Sequence, residues 1–283
     1  MSTMQATHGH SEACCNIPPV VSKGYKTKGS YEQVGGWNTY VTGPRDARKA
    51  IVAVFDIFGF FEQTLQGADI LANGDGGDRQ YQVYMPDWFE GKPCPIEIYP
   101  PDTPDKKKKL ADFFEANSPQ RIASLVPALV DAVRAHNPAI EKLAIVGYCW
   151  GAKVALLSST PSTPSTPAPS SANPPAATSQ TTPSLTSPAP FGATALLHPA
   201  MLSPLDARPL TKPVVLLASR DEPRQAVTDF DMNIPRHVPR HIEIFGDQIH
   251  GWMAARADLE KDRVREEYER GYCVLIEFLG KHF

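Results

Sequence analysis

Apolar residues follow two patterns along this chain: short uninterrupted runs, and longer stretches in which they recur every three or four positions. The runs typical of buried strands cover residues 50–55, 81–85, 145–148, 193–197, 213–218 and 240–245. The stretches with helical spacing cover residues 63–73, 122–135 and 263–279. Around Gly35 and Gly36, residues 31–41 favour a hairpin at the edge of a sheet. Strands that alternate with helices predict an α/β fold, with a mostly parallel twisted sheet and helices on both faces.

Residues 158–190 depart from both patterns, because they are almost entirely Ser, Thr, Pro and Ala and carry no charge. Such a composition cannot bury enough apolar surface to offset its ordering entropy, and we expect it to be disordered. Predicted strands lie on both sides of it. It is therefore expected to be an insertion within a single domain at 21–283, which follows a poorly ordered segment at 1–20. Two roles stay open for it, a tolerated surface insertion and a flexible lid.

Charge and composition argue against several classes of protein. The 28 basic and 31 acidic residues give a net charge of −3, which does not favour a nucleic-acid or membrane surface. No run of 18 apolar residues is present and the first residues lack the apolar region of a signal peptide, so we expect a cytoplasmic protein. The odd count of five cysteines argues against a disulfide framework. Adjacent Cys14 and Cys15 are poorly spaced for chelation, and we expect neither a metal nor a cofactor.

The candidate chemistry centres on residues 145–152, where an apolar run ends in the pattern Gly-x-Cys-x-Gly. A side chain in the middle of this pattern lies on a tight turn from strand to helix, where Gly147 and Gly151 prevent clashes. The following helix directs its N-terminal N–H groups and positive dipole end at Cys149. This field lowers a thiol pKa and suits a developing oxyanion. Cys149 is therefore the candidate nucleophile, and the alternative is a structural cysteine between packing glycines.

Two candidate partners follow this cysteine in the chain. Asp221 comes just after the predicted strand at 213–218, and His250 lies in the loop after the predicted strand at 240–245. The order nucleophile, acid, histidine is that of the α/β-hydrolase fold. In such a triad the histidine accepts the proton of the nucleophile, and the acid holds the imidazole tautomer and steadies its cationic form. We therefore expect Asp221 to be the acid and His250 to be the base.

Other residues compete for these roles. Glu222 is adjacent to the favoured aspartate, and Asp247 is three residues from the favoured histidine, so each is an alternative acid. His241 falls inside a strand pattern and is expected to be a packed or edge residue, whereas His198 ends a strand and could line the pocket. The lysine run at 106–109 is most simply a solvated helix start or loop.

Four motifs in order carry a family resemblance. Gly-Tyr-Cys-Trp-Gly-Ala at 147–152, Phe-Asp-Ile-Phe-Gly at 55–59, Met-Pro-Asp-Trp-Phe at 85–89 and His-Gly-Trp at 250–252 are similar to those of the dienelactone hydrolase family, especially its fungal members. The resemblance covers the chain from about Cys14 to the end, apart from the insertion. It implies an α/β-hydrolase that acts on small lactones or esters, with Cys149, Asp221 and His250 as its catalytic residues.

The resemblance also implies roles for residues 56 and 57 and for the residue after the nucleophile. It maps an oxyanion hole onto the backbone N–H groups of Ile57 and Trp150. In the bacterial members of the family, a glutamate at the position of Asp56 contacts the resting thiol. Asp56 is one methylene shorter, so its contact with the thiol is a possibility and the way in which the thiol is activated is open.

Two functions from different classes follow from these expectations. The first is a hydrolase that forms a thioester acyl-enzyme on a lactone or small ester, and the fungal resemblance suggests aromatic or polyketide-derived metabolites of secondary metabolism. The second is a non-catalytic binding or accessory protein of a biosynthetic pathway that kept the fold. The expected partner is a small molecule, with no nucleic acid and no membrane, and both a monomer and a homodimer stay open.

Overall fold

The strands in the described part of the chain form one eight-stranded sheet. The computed structural model describes residues 20, 24–74, 80–160 and 190–283. Numbered in chain order, the strands are β1 Ser30–Val34, β2 Trp37–Thr42, β3 Lys49–Val54, β4 Gln82–Pro86, β5 Lys142–Tyr148, β6 Ala193–Leu197, β7 Val214–Ser219 and β8 Arg240–Phe245. The predicted hairpin is confirmed as β1 and β2, and each predicted buried strand is found within a few residues of its expected bounds.

The strand order is β1-β2-β4-β3-β5-β6-β7-β8. β1 and β2 pair antiparallel, β2 pairs antiparallel with β4, and every other pair from β4 to β8 is parallel. Residues of β4, β6 and β7 are all buried, as continuous apolar runs require when helices cover both faces of a sheet. The loops that follow the parallel strands therefore meet at one edge of the sheet.

Six α-helices complete the described part of the chain: α1 Glu62–Asn73, α2 Pro104–Ala116, α3 Pro119–His136, α4 Trp150–Ser158, α5 Arg224–Asn233 and α6 Asp262–His282. The three helices predicted from apolar spacing are α1, α3 and α6. The lysine run lies on α2, where Lys106, Lys108 and Lys109 pair with nearby aspartates. No helix in the described ranges combines the length and the apolar content needed to span a bilayer.

The structure corrects the start of the predicted insertion. Ser158 is the last residue of α4, and Ser159 is buried, with its hydroxyl accepting a hydrogen bond from the Thr194 hydroxyl at 2.6 Å. These serines read as low-complexity sequence, but they complete the helix and join it to β6. Residues 161–189 of the insertion and residues 1–19, with Cys14 and Cys15, lie outside the described residues.

Candidate active site

Cys149 lies on a strained turn between β5 and α4. Its backbone has φ of 53° and ψ of −112°, a region that residues other than glycine rarely adopt. A Cβ on Gly147 would lie 2.2 Å from the Gly151 carbonyl oxygen, and a Cβ on Gly151 would lie 2.1 Å from the Val54 carbonyl oxygen. Both glycines of the motif are therefore required by the close approach of backbone to backbone, as the sequence predicts.

The backbone on both sides of the nucleophile candidate is fixed. The Cys149 N–H donates to the Leu197 carbonyl at 3.0 Å, and the Cys149 carbonyl accepts from the Ala200 N–H at 3.0 Å. The side chain is fully buried and precedes the first residue of α4, so it lies at the positive end of the helix dipole. The thiol is therefore shielded from solvent by the surrounding side chains.

The ring of His250 forms a buried hydrogen-bonding contact with Glu222, not with Asp221. Nδ1 of His250 lies 2.5 Å from a Glu222 carboxylate oxygen, and the two side chains are 0% and 2% exposed. The other Glu222 oxygen accepts a hydrogen bond from the Ser219 N–H. Asp221 instead accepts from the backbone N–H of His250 at 2.8 Å, and its side chain is 23% exposed. The expected contact between Asp221 and the imidazole is therefore corrected, and Glu222 occupies that position.

Two of the other competitors, Asp247 and His241, make their contacts at the surface. Asp247 is on the surface, where it binds Arg263 at 2.6 Å and accepts from Gln248. The side chain of His241 lies half-exposed on β8, the last strand of the sheet, with Glu243 at 3.2 Å, in line with the edge position expected for it.

Asp56 follows β3 and is fully buried at the same edge of the sheet. One carboxylate oxygen accepts from the Phe58 N–H at 2.9 Å, and the other accepts from the Ala255 N–H at 3.3 Å. Burial raises the pKa of Asp56, and these two N–H groups and the charges of Arg256 and His250 act in the opposite direction. The thiol contact expected of Asp56 stays a prediction.

The two residues expected to form the oxyanion hole follow neighbouring strands, Ile57 after β3 and Trp150 after β5. Trp150 is the first residue of α4, so its N–H is one of the four that the helix itself does not use. Its indole donates to the Asn117 carbonyl at 2.9 Å, which anchors the residue. Ile57 follows Asp56, and its carbonyl accepts from the Cys94 N–H at 2.8 Å. These hydrogen bonds hold Ile57 in place after β3 and Trp150 in place after β5.

Sequence reasoning missed a buried arginine at this site. Arg256 is 1% exposed, and its guanidinium lies 5.2 Å from the centre of the Phe58 ring and 5.9 Å from that of Tyr99. Its only sequence signal is its place six residues after His250, which carries no pattern of its own. Across the described ranges, no group of three or more His, Cys, Asp or Glu side chains is arranged to hold a metal.

Comparison with known proteins assigns the chain to a family. Residues 37–283 match the model of the dienelactone hydrolase family. An uncharacterized AIM2 family protein of Schizosaccharomyces pombe is 34% identical over 262 residues, covering 91% of this chain and 92% of the relative. A hydrolase of Aspergillus violaceofuscus is 25% identical over 91% of each chain.

A solved structure supports the same assignment of the fold. The putative dienelactone hydrolase of Klebsiella pneumoniae superimposes with a TM-score of 0.55 at 16% identity, covering 82% of this chain and 89% of that one. The predicted α/β-hydrolase fold is thereby confirmed. From its sequence match over most of its length and from its fold, this chain belongs to the dienelactone hydrolase family.

Proposed function

We propose that this protein hydrolyses small carboxylic esters or lactones through a thioester on Cys149, with His250 as the base and Glu222 as the residue that orients it. The observation that carries the proposal is the buried contact of 2.5 Å between His250 and Glu222, at the same sheet edge as the strained Cys149 turn. Parallel sheets place their chemistry at this edge. Asp221 is assigned a supporting role, since it binds the backbone N–H of His250.

The proposed reaction begins with transfer of the Cys149 proton to Nε2 of His250. The thiolate attacks the carbonyl carbon and forms the C–S bond, and the carbonyl oxygen becomes an oxyanion held by the N–H groups of Ile57 and Trp150. The C–O bond then breaks, and His250 returns the proton to the departing alkoxide. Glu222 stabilises the imidazolium throughout, because its carboxylate stays on Nδ1.

Water completes the cycle. His250 takes a proton from a water molecule, and the resulting hydroxide attacks the thioester carbonyl. The C–S bond then breaks to release the acid, and His250 returns its proton to the Cys149 thiolate. With a lactone, the alkoxide that leaves in the first half stays part of the acyl group, so the released product is a hydroxy acid. A thiolate suits activated esters and lactones better than peptides, because the alkoxide is the better leaving group.

Aromatic side chains and a guanidinium lie near Asp56. Phe58 packs against Phe61 and Tyr99 with ring centres 5.9 and 5.1 Å apart, next to the buried guanidinium of Arg256. Aromatic faces and a guanidinium both stack on flat conjugated groups. We therefore propose aromatic or polyketide-derived esters and lactones as the substrate class, in the secondary metabolism of a fungus and in the cytoplasm.

A panel of lactones and aryl esters, assayed with the wild type and with Cys149→Ala, tests this function. We expect turnover of at least one member of the panel by the wild type, none by the variant, and a covalent acyl adduct on Cys149 by mass spectrometry. Equal turnover by both proteins would exclude the thioester route. Binding of panel members without turnover by the wild type would favour a non-catalytic accessory protein instead.

A further inference from the structure

His198 has a strained backbone at the end of β6, beside the turn that carries Cys149. Its φ is 37°, and its N–H donates to the Leu217 carbonyl at 2.7 Å. Four non-glycine residues in the described ranges have positive φ, and three of them, Cys149, His198 and Met201, lie on this turn and on the adjacent loop. Such strain persists only where surrounding contacts impose it, and it concentrates at functional sites.

The ring of His198 is fully buried between two other rings. Its centre lies 5.3 Å from that of His250, with 74° between the ring planes, and 6.1 Å from that of Tyr148. An angle near 90° is the edge-to-face arrangement that aromatic pairs prefer. The imidazole of His250 is therefore held by Glu222 at Nδ1 and by the ring of His198 against its side.

The loop that carries His198 is attached to the nucleophile turn. The Ala200 N–H donates to the Cys149 carbonyl at 3.0 Å. One turn into α4, the Lys153 ammonium donates to the Met201 carbonyl at 3.3 Å and pairs with Asp206. Since these contacts join the loop to the residues around the thiol, the position of His198 is set by the same structure that sets Cys149.

We propose that His198 is a positioning residue, whose ring fixes the plane of the His250 imidazole so that Nδ1 faces Glu222 and Nε2 faces the thiol. This inference rests on the proposed function of Cys149 and His250. The role requires a neutral ring, because a second positive charge would oppose the imidazolium that forms during the reaction. The ionisable groups around His198 and His250 include Tyr148 from β5, Asp56 after β3, and Asp221 and Glu222 after β7.

Two variants distinguish the role of the His198 ring from the role of its nitrogen atoms. His198→Asn removes the ring and tolerates the left-handed backbone, whereas His198→Phe keeps an aromatic ring and removes both nitrogens. We expect kcat of the Asn variant to fall roughly 10- to 100-fold, as for other small misplacements of a catalytic group, with KM changed less than about threefold. We expect the Phe variant to stay within about fivefold of the wild type.

The pH dependence of Cys149 alkylation by iodoacetamide gives a second readout, measured by mass spectrometry against the background of Cys149→Ala. In the wild type we expect alkylation well below pH 8.5, the ordinary value for a thiol, because His250 stabilises the thiolate. The profile of His198→Asn should move toward that ordinary value, and the profile of His198→Phe should not. A purely structural role would lower the melting temperature of both variants and move neither profile.

Lys153→Met provides the test if His198→Asn does not fold, since it releases the loop and leaves the ring in place. A fall in kcat together with the same shift of the alkylation profile would support the proposal. The proposal would be overturned if His198→Asn, or Lys153→Met in its place, kept the wild-type kcat and alkylation profile. It would also be overturned if His198→Phe lost as much kcat as His198→Asn. Failure of the proposed function looks different: the wild-type Cys149 would itself titrate as an ordinary thiol, which would remove both proposals.

Discussion

Replacing Glu222 by glutamine changes one oxygen of a buried carboxylate to an amide and removes its charge. In the folded protein that carboxylate accepts from the Ser219 N–H and lies 2.5 Å from Nδ1 of His250. Glutamine has only one acceptor oxygen, so it satisfies Ser219 or His250 but not both. The amide group would then face a donor, and the imidazole would lose both its orientation and the charge that stabilises its cation.

The size of this effect follows from the contact. Two unit charges about 4 Å apart attract by roughly 4 kcal/mol at an effective dielectric constant of about 20. At about 1.4 kcal/mol for each factor of ten, loss of that attraction slows the reaction about 10³-fold. Loss of the correct tautomer adds to it, and we expect kcat of Glu222→Gln to fall about 10³- to 10⁴-fold, in the range known for other triads.

Asp221→Asn is the matched control, because it makes the same chemical change at the adjacent residue. The asparagine oxygen still accepts from the His250 N–H, so only the charge assistance of that hydrogen bond is lost. A change of about 1 kcal/mol corresponds to a loss of roughly fivefold. Steady-state kinetics on an ester from the panel, with melting temperatures for both variants, make the comparison. A larger loss in Asp221→Asn, or more than a tenth of wild-type kcat in Glu222→Gln, would refute the assignment.

Three further predictions concern the nucleophile, the insertion and the sheet edge. Cys149→Ser should keep at most weak activity, because a hydroxyl needs a stronger base than a site tuned for a thiol supplies. A chelator should leave the wild-type rate unchanged, because no step of the proposed reaction uses a metal. A short Gly-Ser turn in place of residues 160–189 should leave the melting temperature within a few degrees and retain activity on small esters, since Ser159 and Thr194 already touch; loss of folding would refute this. Hydrogen bonding to Arg45 lowers the pKa of Glu32 from 4.5 to about 2, so its contribution to stability is complete above pH 4.5 and fades as the pH falls toward 2. The melting temperature of Glu32→Gln should therefore lie below that of the wild type at pH 7 and approach it near pH 3.

The sequence predicts best those strands whose residues form continuous apolar runs, because such runs are buried in the fold. Strands β3, β6 and β7 are nearly continuous apolar runs that are buried almost throughout, and their bounds differ from prediction by a residue or so. Apolar spacing does not predict helices α2 and α5, because each buries few side chains. α2 buries only Leu110, and α5 buries only Val227 and Phe230, too few to give a visible helical period.

The candidate site divides in the same way. The Cys149 turn is visible in sequence because two glycines flank it, and in the folded chain backbone oxygens lie where a Cβ on either glycine would meet them at 2.1 or 2.2 Å. Arg256 carries no such local signature. The end of a strand marks His198 in the sequence as a residue that could line the pocket, but its contact with the ring of His250 depends on a loop that is distant in the chain. A tight turn is therefore predictable from sequence, whereas the contacts between side chains of distant loops are not.

The choice between Asp221 and Glu222 shows why the acid could not be settled from the chain. Both residues lie in the loop directly after β7, and the order of nucleophile, acid and histidine along the chain fits either of them. The turn after β7 decides between them: the Asp221 N–H donates to the Ser219 hydroxyl at 3.1 Å, and the Ser219 N–H donates back to the Glu222 carboxylate. That turn directs the longer side chain inward to the imidazole and leaves the shorter one to bind the backbone of His250. Sequence places an acid at this corner of the sheet, but only the hydrogen bonds of the turn determine which carboxylate reaches the ring.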